Sequence, residues 1–148
     1  MKILPAPGAY KTLYRAVGLP EWRLITADGR RRFPPETLSG DFYYPALTFA
    51  GACAAARDVL ANYPSTEYTG LVAAFDVPPD SLGEYEKIWQ NTEMKPGHDA
   101  NLWIGCVAFR ELNRRITGVL RICEAFYGSQ RPGGRFTPQE LNESGFLG

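Results

Sequence analysis

The chain has 148 residues, and its 16 Lys and Arg balance its 16 Asp and Glu, so its formal net charge at pH 7 is zero. That balance excludes a globally basic nucleic-acid binder, and 45% apolar against 22% charged residues excludes a disordered chain. At this length we expect a single domain. Three cysteines without a CxxC pair and a single histidine predict no metal site. No run approaches the roughly 20 apolar residues of a membrane span, so we expect a soluble protein without membrane contact that folds in a reducing compartment. Non-classical secretion leaves no mark in a sequence, so a cytoplasmic and a secreted location are both open.

The first third of the chain predicts a strand, a short helix and a coil. Leu13–Val17 is a β-prone run that ends at Gly18. Pro20–Ile25 can open a helix of one or two turns, because proline is favoured in the first turn of a helix. Two prolines then predict an exposed coil over Arg30–Pro35.

The middle of the chain predicts a strand, a helix and a second strand. Phe42–Tyr44 is a compact aromatic run that suits a short strand. Apolar residues at helical spacing predict a helix over residues 46–62, and its many alanines indicate close packing against a sheet. Gly70–Val77 is an apolar run that predicts the next strand.

The last part predicts a long loop, two strands and a tail. Residues 83–101 are polar and acidic, which is typical of a loop, and Trp103–Phe109 and Gly118–Tyr127 are each expected to form a strand. From Gly128 onward the composition shifts to Gly, Pro, Ser and Asn. We therefore expect a domain over residues 1–127 and a flexible tail over 128–148, with an α+β fold: a split antiparallel or mixed sheet and a few short helices.

Charge is unevenly distributed along the chain. Residues 1–40 carry seven basic and three acidic groups, residues 76–99 carry two and six, and residues 110–135 carry six and two. These blocks indicate either ordinary solvated faces or a basic wall on a cleft for an anionic ligand such as a dinucleotide. The sequence contains no phosphate-binding glycine loop, no zinc-protease motif and no serine-hydrolase elbow.

The order of four segments resembles the core of the toxin-type ADP-ribosyltransferases, in particular the small C-terminal toxin domains of bacterial polymorphic and type VI effectors. The segments are Leu13–Val17, Gly40–Tyr44 before the alanine-rich helix, Val72–Pro78 and Ile104–Asn113, and the resemblance spans roughly residues 12–114. It implies an ADP-ribosyltransferase-like fold and NAD as co-substrate. It also implies a macromolecular acceptor, whose type the sequence does not name, and an immunity protein as a partner.

The resemblance further implies roles for particular residues. Arg15 is similar in position to the family's first-strand arginine, which holds the NAD phosphate and ribose, and its neighbour Tyr14 would contribute to the same site; the alternative for Arg15 is an ion pair at a sheet edge. The aromatic residues that match the family's stacking surface are Phe42, Tyr43 and Tyr44. Because side chains alternate along a strand, either Tyr43 or the pair Phe42 and Tyr44 would face the cleft. The carboxylates within reach of the catalytic position are Glu93 and Asp99, either of which could instead be a solvated loop residue.

Three functions remain open from the sequence. The first is transfer of ADP-ribose from NAD, or hydrolysis of NAD by the same chemistry as an NAD glycohydrolase. The second is a non-catalytic binding module that keeps the fold and the cleft. The third is an accessory protein of a phage or secretion system that docks through residues 128–148.

Overall fold

In the part of the chain that the structure describes, three antiparallel strands form one sheet, and short helices cover both of its faces. The computed structural model describes residues 10–34, 47–81, 106–143 and 146. The strands are β1 (Lys11–Gly18), β2 (Thr69–Val77) and β3 (Thr117–Tyr127), in the order β1-β2-β3. The described helices are α1 (Leu19–Ala27), α2 (Phe49–Asp58), α3 (Cys106–Arg114) and α4 (Pro138–Leu141), with 3-10 turns at Leu60–Asn62 and Pro64–Thr66. The predicted α+β class with short helices is confirmed; of the predicted split antiparallel or mixed sheet, the described strands form an antiparallel sheet that is not split.

β2 is the central strand, and nearly every residue in it is buried. Successive side chains of a strand point to opposite faces. Leu71 and Phe75 therefore face the larger core, whereas Val72 faces α2. An alternating pattern is absent because neither face of this strand meets water, as the continuous apolar run predicts.

α2 packs directly on the sheet through its smallest side chains. Thr48 caps the helix by accepting a hydrogen bond from the Gly51 amide at 3.2 Å. Ala52 and Ala56 are fully buried against β2, and a Cβ placed on Gly70 would lie 2.0 Å from the Ala56 carbonyl oxygen. The predicted close packing of the alanine-rich helix on a sheet is confirmed, although α2 ends at Asp58 and a 3-10 turn replaces its predicted last turn.

The larger core lies on the opposite face of the sheet, around α1. Trp22 is fully buried there and donates its indole N–H to the Leu141 carbonyl oxygen at 2.9 Å. Phe33 is also fully buried, so the prediction of an exposed coil over Arg30–Pro35 is wrong at this residue. The Asn113 side chain explains the difference, because it bonds both the amide and the carbonyl of Phe33, at 2.9 and 3.1 Å, and so satisfies the backbone of a buried non-helical residue.

The predicted strand over Trp103–Phe109 is also wrong where the structure describes it, because residues 106–109 form the first part of α3. A short apolar run does not by itself distinguish a strand from a buried helix. The residues after the run decide the outcome. Arg110 and Arg114 are exposed while Leu112 between them is buried, a pattern that excludes a strand, in which these three residues would share one face.

Residues 128–143 pack against the domain, which differs from the flexible tail that their composition predicts. Leu141 is fully buried, and the Asn142 side chain bonds the backbone of Ile122 on β3 at 2.6 and 2.8 Å. α4 begins with a capping box between Thr137 and Glu140. A few apolar and amide side chains are enough to fix a segment rich in Gly and Pro.

Two further findings bear on function. No helix in the described part of the chain is long and apolar enough to cross a membrane. Within the same ranges, no group of three or more His, Cys, Asp or Glu side chains lies close enough together to hold a metal ion. The predicted strand over Phe42–Tyr44 and the predicted loop over residues 83–101 lie outside the described residues.

Candidate functional site

The first strand places Arg15 inside the protein. Arg15 lies between Leu13 and Val17 on the face of β1 that meets the larger core, and it is only 2% exposed. β1 ends at Gly18, and α1 starts at the next residue with Pro20 in its first turn. This corner turns the chain back, so that the Glu21 carboxylate accepts a hydrogen bond from Arg15 Nη1 at 2.6 Å.

Arg15 also stacks on an aromatic ring. Its guanidinium carbon lies 4.7 Å from the centroid of the Phe33 ring, close enough for a cation–π interaction. The guanidinium is thus held by a carboxylate at Nη1 and by an aromatic ring. Two contacts of this kind fix the orientation of the side chain more firmly than an ion pair alone.

A pocket of about 320 Å³ opens next to the Arg15–Glu21 pair. Pro20, Leu24 and Leu60 form its apolar wall, and Ser65 lies at its rim. The pocket size falls at the lower end of the range for small-molecule sites, which are mostly apolar with a few polar groups. The Arg15–Glu21 pair supplies the charged groups of this pocket.

The charge of the pair determines what the pocket can bind. Arg15 and Glu21 neutralise each other, so a ligand meets a donor and an acceptor that are already paired, with no net charge between them. An anion can bind Arg15 only by competing with the Glu21 carboxylate. A neutral group that both donates and accepts hydrogen bonds can instead engage both partners.

Tyr14 does not share this site. Because neighbouring residues of a strand point to opposite faces, Tyr14 lies on the face covered by α2, where its ring makes an edge contact with Phe49 at 5.3 Å. The structure therefore separates Arg15 and Tyr14, which the resemblance assigns to one cofactor site. The other predicted site residues, Phe42, Tyr43, Tyr44, Glu93 and Asp99, lie outside the described residues, and their roles stay predictions.

Sequence reasoning identified Arg15 but missed Glu21 and Phe33. A signal for Glu21 was present, since Pro20-Glu21 is typical of a first helical turn and a helix that directly follows a strand must fold back over it. Phe33 carried no such signal, because its burial depends on Asn113, 80 residues later.

The predicted basic wall is divided between separate ion pairs. Arg115 pairs with Asp80 at 3.2 Å, and Arg121 pairs with Asp76 at 3.1 Å. Two carboxylates of the acidic block thus neutralise two cations of the second basic block. Neither pair involves Arg15, which pairs with Glu21.

The two cysteines whose side chains are described, Cys53 and Cys123, pack on the α2 face. Burial raises the pKa of the Cys123 thiol to about 11. Since the thiolate is the reactive form, we expect iodoacetamide to alkylate Cys123 at least about tenfold more slowly at pH 7.5 than a free thiol of ordinary pKa near 8.5. Peptide mapping by mass spectrometry gives the rate for each cysteine. Unfolding in urea should abolish the difference, and equal rates at Cys123 in native and unfolded protein would contradict the assigned burial.

No protein-family model matches this chain, and neither a curated protein nor a solved structure matches it.

Proposed function

We propose that this chain is an ADP-ribosyltransferase-like domain that uses NAD as co-substrate and acts as a bacterial toxin on a macromolecular acceptor. The observation that carries the proposal is Arg15, a buried arginine on the first strand that lines a pocket of ligand size. This is the position at which the sequence resemblance expects the dinucleotide-binding arginine. A guanidinium suits that role because its planar fork binds two phosphate oxygens at once.

The proposed reaction cleaves the bond between nicotinamide and ribose. Nicotinamide leaves with the bonding electron pair and becomes neutral, and an oxocarbenium ion remains on the ribose until the acceptor attacks it and loses a proton. A carboxylate near the ribose would stabilise that cation, and the resemblance gives this role to Glu93 or Asp99. Phe42, Tyr43 and Tyr44 would supply the stacking surface for the nicotinamide ring.

Glu21 adds a condition to this proposal. Because the Glu21 carboxylate occupies Arg15, a phosphate of NAD must displace it or accept a position beside a like charge. Bound NAD would therefore move Glu21 away from Arg15. The domain would act in the cytoplasm, either of the bacterium that makes it or of a cell into which it is secreted. An immunity protein would protect the producing bacterium.

Nicotinamide release from NAD tests the proposal directly. The purified protein, with cell lysate as a source of acceptor, should release nicotinamide that chromatography can measure. Arg15→Lys keeps a cation beside Glu21 but loses the fork, and we expect at least a tenfold loss of turnover with the fold retained by circular dichroism. Arg57→Lys is the matched control, since Arg57 forms an exposed pair with Asp58 and does not line the pocket.

The outcomes separate the related functions. Turnover with water as the acceptor would indicate an NAD glycohydrolase. Equal turnover in the wild type and Arg15→Lys would refute the site. No turnover under any condition would refute the enzymatic proposal.

The burial of Arg15 favours a second candidate, a non-catalytic module with the same fold. An arginine that is 2% exposed, paired with a carboxylate and stacked on a ring can serve to hold β1 against α1 without contacting a ligand. Calorimetry distinguishes the two candidates when turnover is absent. NAD binding that is lost in Arg15→Lys would indicate a binding module, and no binding would leave Arg15 with a purely structural role.

A further inference from the structure

Two segments that are distant in sequence place arginines together on one surface. The Asn113 side chain bonds the backbone of Phe33, and Arg32 Nη2 donates to the Arg114 carbonyl oxygen at 3.3 Å. These contacts hold the residues that follow α1, including Arg32 and Phe33, beside the C-terminal end of α3. We define the arginine patch as the five exposed or half-buried arginines of these segments: Arg31, Arg32, Arg110, Arg114 and Arg115.

Within the described ranges, the arginines of the patch outnumber the carboxylates beside them. Among the described residues, Glu111 pairs with Arg114 at 2.8 Å and Asp80 pairs with Arg115 at 3.2 Å. No carboxylate of the described ranges pairs with Arg31 or Arg32, and Arg32 Nη1 donates instead to the Arg31 carbonyl oxygen at 2.6 Å. Both ion pairs are exposed, so they contribute little to stability and their arginines can exchange partners at small cost.

Part of this arrangement serves the fold, because cations near the C-terminal end of α3 interact favourably with its unpaired carbonyl groups, as Arg32 does with the Arg114 carbonyl oxygen. Arg110 and Arg114 are four residues apart on α3, where like charges repel, and Arg31 and Arg32 are added beside the same helix. The zero net charge of the chain means that this surplus is local and does not serve general solubility.

All five cations are arginine, although the chain also contains lysine. A guanidinium binds phosphate bidentately and is weakly hydrated, whereas lysine is the more common choice for a solvated surface charge. The described apolar side chains of the two segments, Phe33, Leu112 and Ile116, are buried, whereas a membrane-binding surface needs exposed apolar anchors. This chemistry fits a strand of repeated phosphates.

We propose that the arginine patch binds nucleic acid through its phosphate backbone, without reading its sequence. The binding is independent of NAD and of the Arg15 pocket. A surface of this kind brings the protein to a nucleic acid by electrostatic attraction, which depends strongly on salt.

Fluorescence anisotropy with a labelled single-stranded oligouridine of about 20 nucleotides tests the proposal. If three to five phosphates are neutralised, the Kd should rise about 15- to 130-fold between roughly 50 and 200 mM salt. Arg31→Gln/Arg114→Gln removes two exposed patch cations. We expect it to weaken binding at least tenfold at the lower salt and to make the salt dependence shallower.

A second double variant controls for net charge. Arg57→Gln/Arg135→Gln removes the same charge from two exposed arginines outside the patch, and it should leave the Kd within about twofold. Equal weakening by both double variants would overturn the patch. No binding of the wild type at about 50 mM salt, or equally tight binding of a polyglutamate peptide, would overturn the assignment to nucleic acid. Nicotinamide release is not part of this measurement, so a failure to bind nucleic acid would not contradict the NAD proposal. A failure to release nicotinamide would likewise not contradict nucleic-acid binding by the arginine patch.

Discussion

Replacing Arg15 by alanine is expected to lower the free energy of unfolding by about 3–5 kcal/mol. Arg15 is 2% exposed, and the Glu21 side chain that it contacts is only 13% exposed. Removing the arginine leaves a carboxylate nearly buried without its countercharge and exposes one face of the Phe33 ring to a cavity. Urea unfolding followed by circular dichroism measures the loss, as a lower midpoint at constant slope.

A double variant separates the charge from the packing. Arg15→Met/Glu21→Leu removes both charges and keeps most of the volume, so we expect its stability to lie within about 1 kcal/mol of the wild type or above it. A single Arg15→Ala variant that loses less than about 1 kcal/mol would show that the pair is not buried in solution. The folded double variant also lacks the guanidinium, so it provides a second means of testing whether Arg15 acts on NAD.

Gly70→Ala is expected to destabilise the protein by about 3–5 kcal/mol, or to prevent folding. A Cβ at this position would lie 2.0 Å from the Ala56 carbonyl oxygen and 2.6 Å from its carbon, distances far below van der Waals contact. The clash is with the backbone of α2, so no change of rotamer relieves it. The helix and β2 would have to separate, which would open the small core around Ala52 and Val72.

The matched control is Gly134→Ala, since no atom lies within 4 Å of a Cβ there. We expect it to change the free energy of unfolding by less than about 1 kcal/mol. The change should be an increase, because alanine restricts the unfolded chain more than glycine does. Gly70→Ala/Ala56→Gly should not recover stability, since the clashing atom belongs to the backbone. Full stability of Gly70→Ala alone would contradict the close approach of α2 to β2.

Most regular elements could be predicted from the sequence, because their patterns are local. The β-prone run before Gly18, the alanine-rich helix and the apolar runs of β2 and β3 each fold largely as expected. The first part of α3 was predicted as a strand because its apolar run is short, and a short apolar run suits either element. The pattern that distinguishes a helix appears only from Arg110 onward. The packing of residues 128–143 was not predictable from composition, since it depends on long-range contacts such as the bond from Trp22 to Leu141.

The candidate site was predictable only in part. The sequence identified Arg15 as a charged residue on the first strand. It indicated neither that Arg15 is buried nor which residue it pairs with. Glu21 reaches it across a corner between a strand and a helix, and no sequence period describes that contact. Tyr14 was assigned to the same site although strand alternation alone places it on the other face.

The turn before β2 shows how far the folding unit extends along the chain. Glu67 and Tyr68 both have positive φ, 57° and 54°, which is unfavourable for two successive non-glycine residues. Arg131 holds this turn, donating from Nη1 to the Glu67 carbonyl oxygen at 3.0 Å and to Thr69 Oγ1 at 3.1 Å. A chain that stopped at Tyr127 would lose this clamp together with the Leu141 contact of Trp22. We therefore expect a chain that ends at Tyr127 to be less stable than one that extends to Asn142.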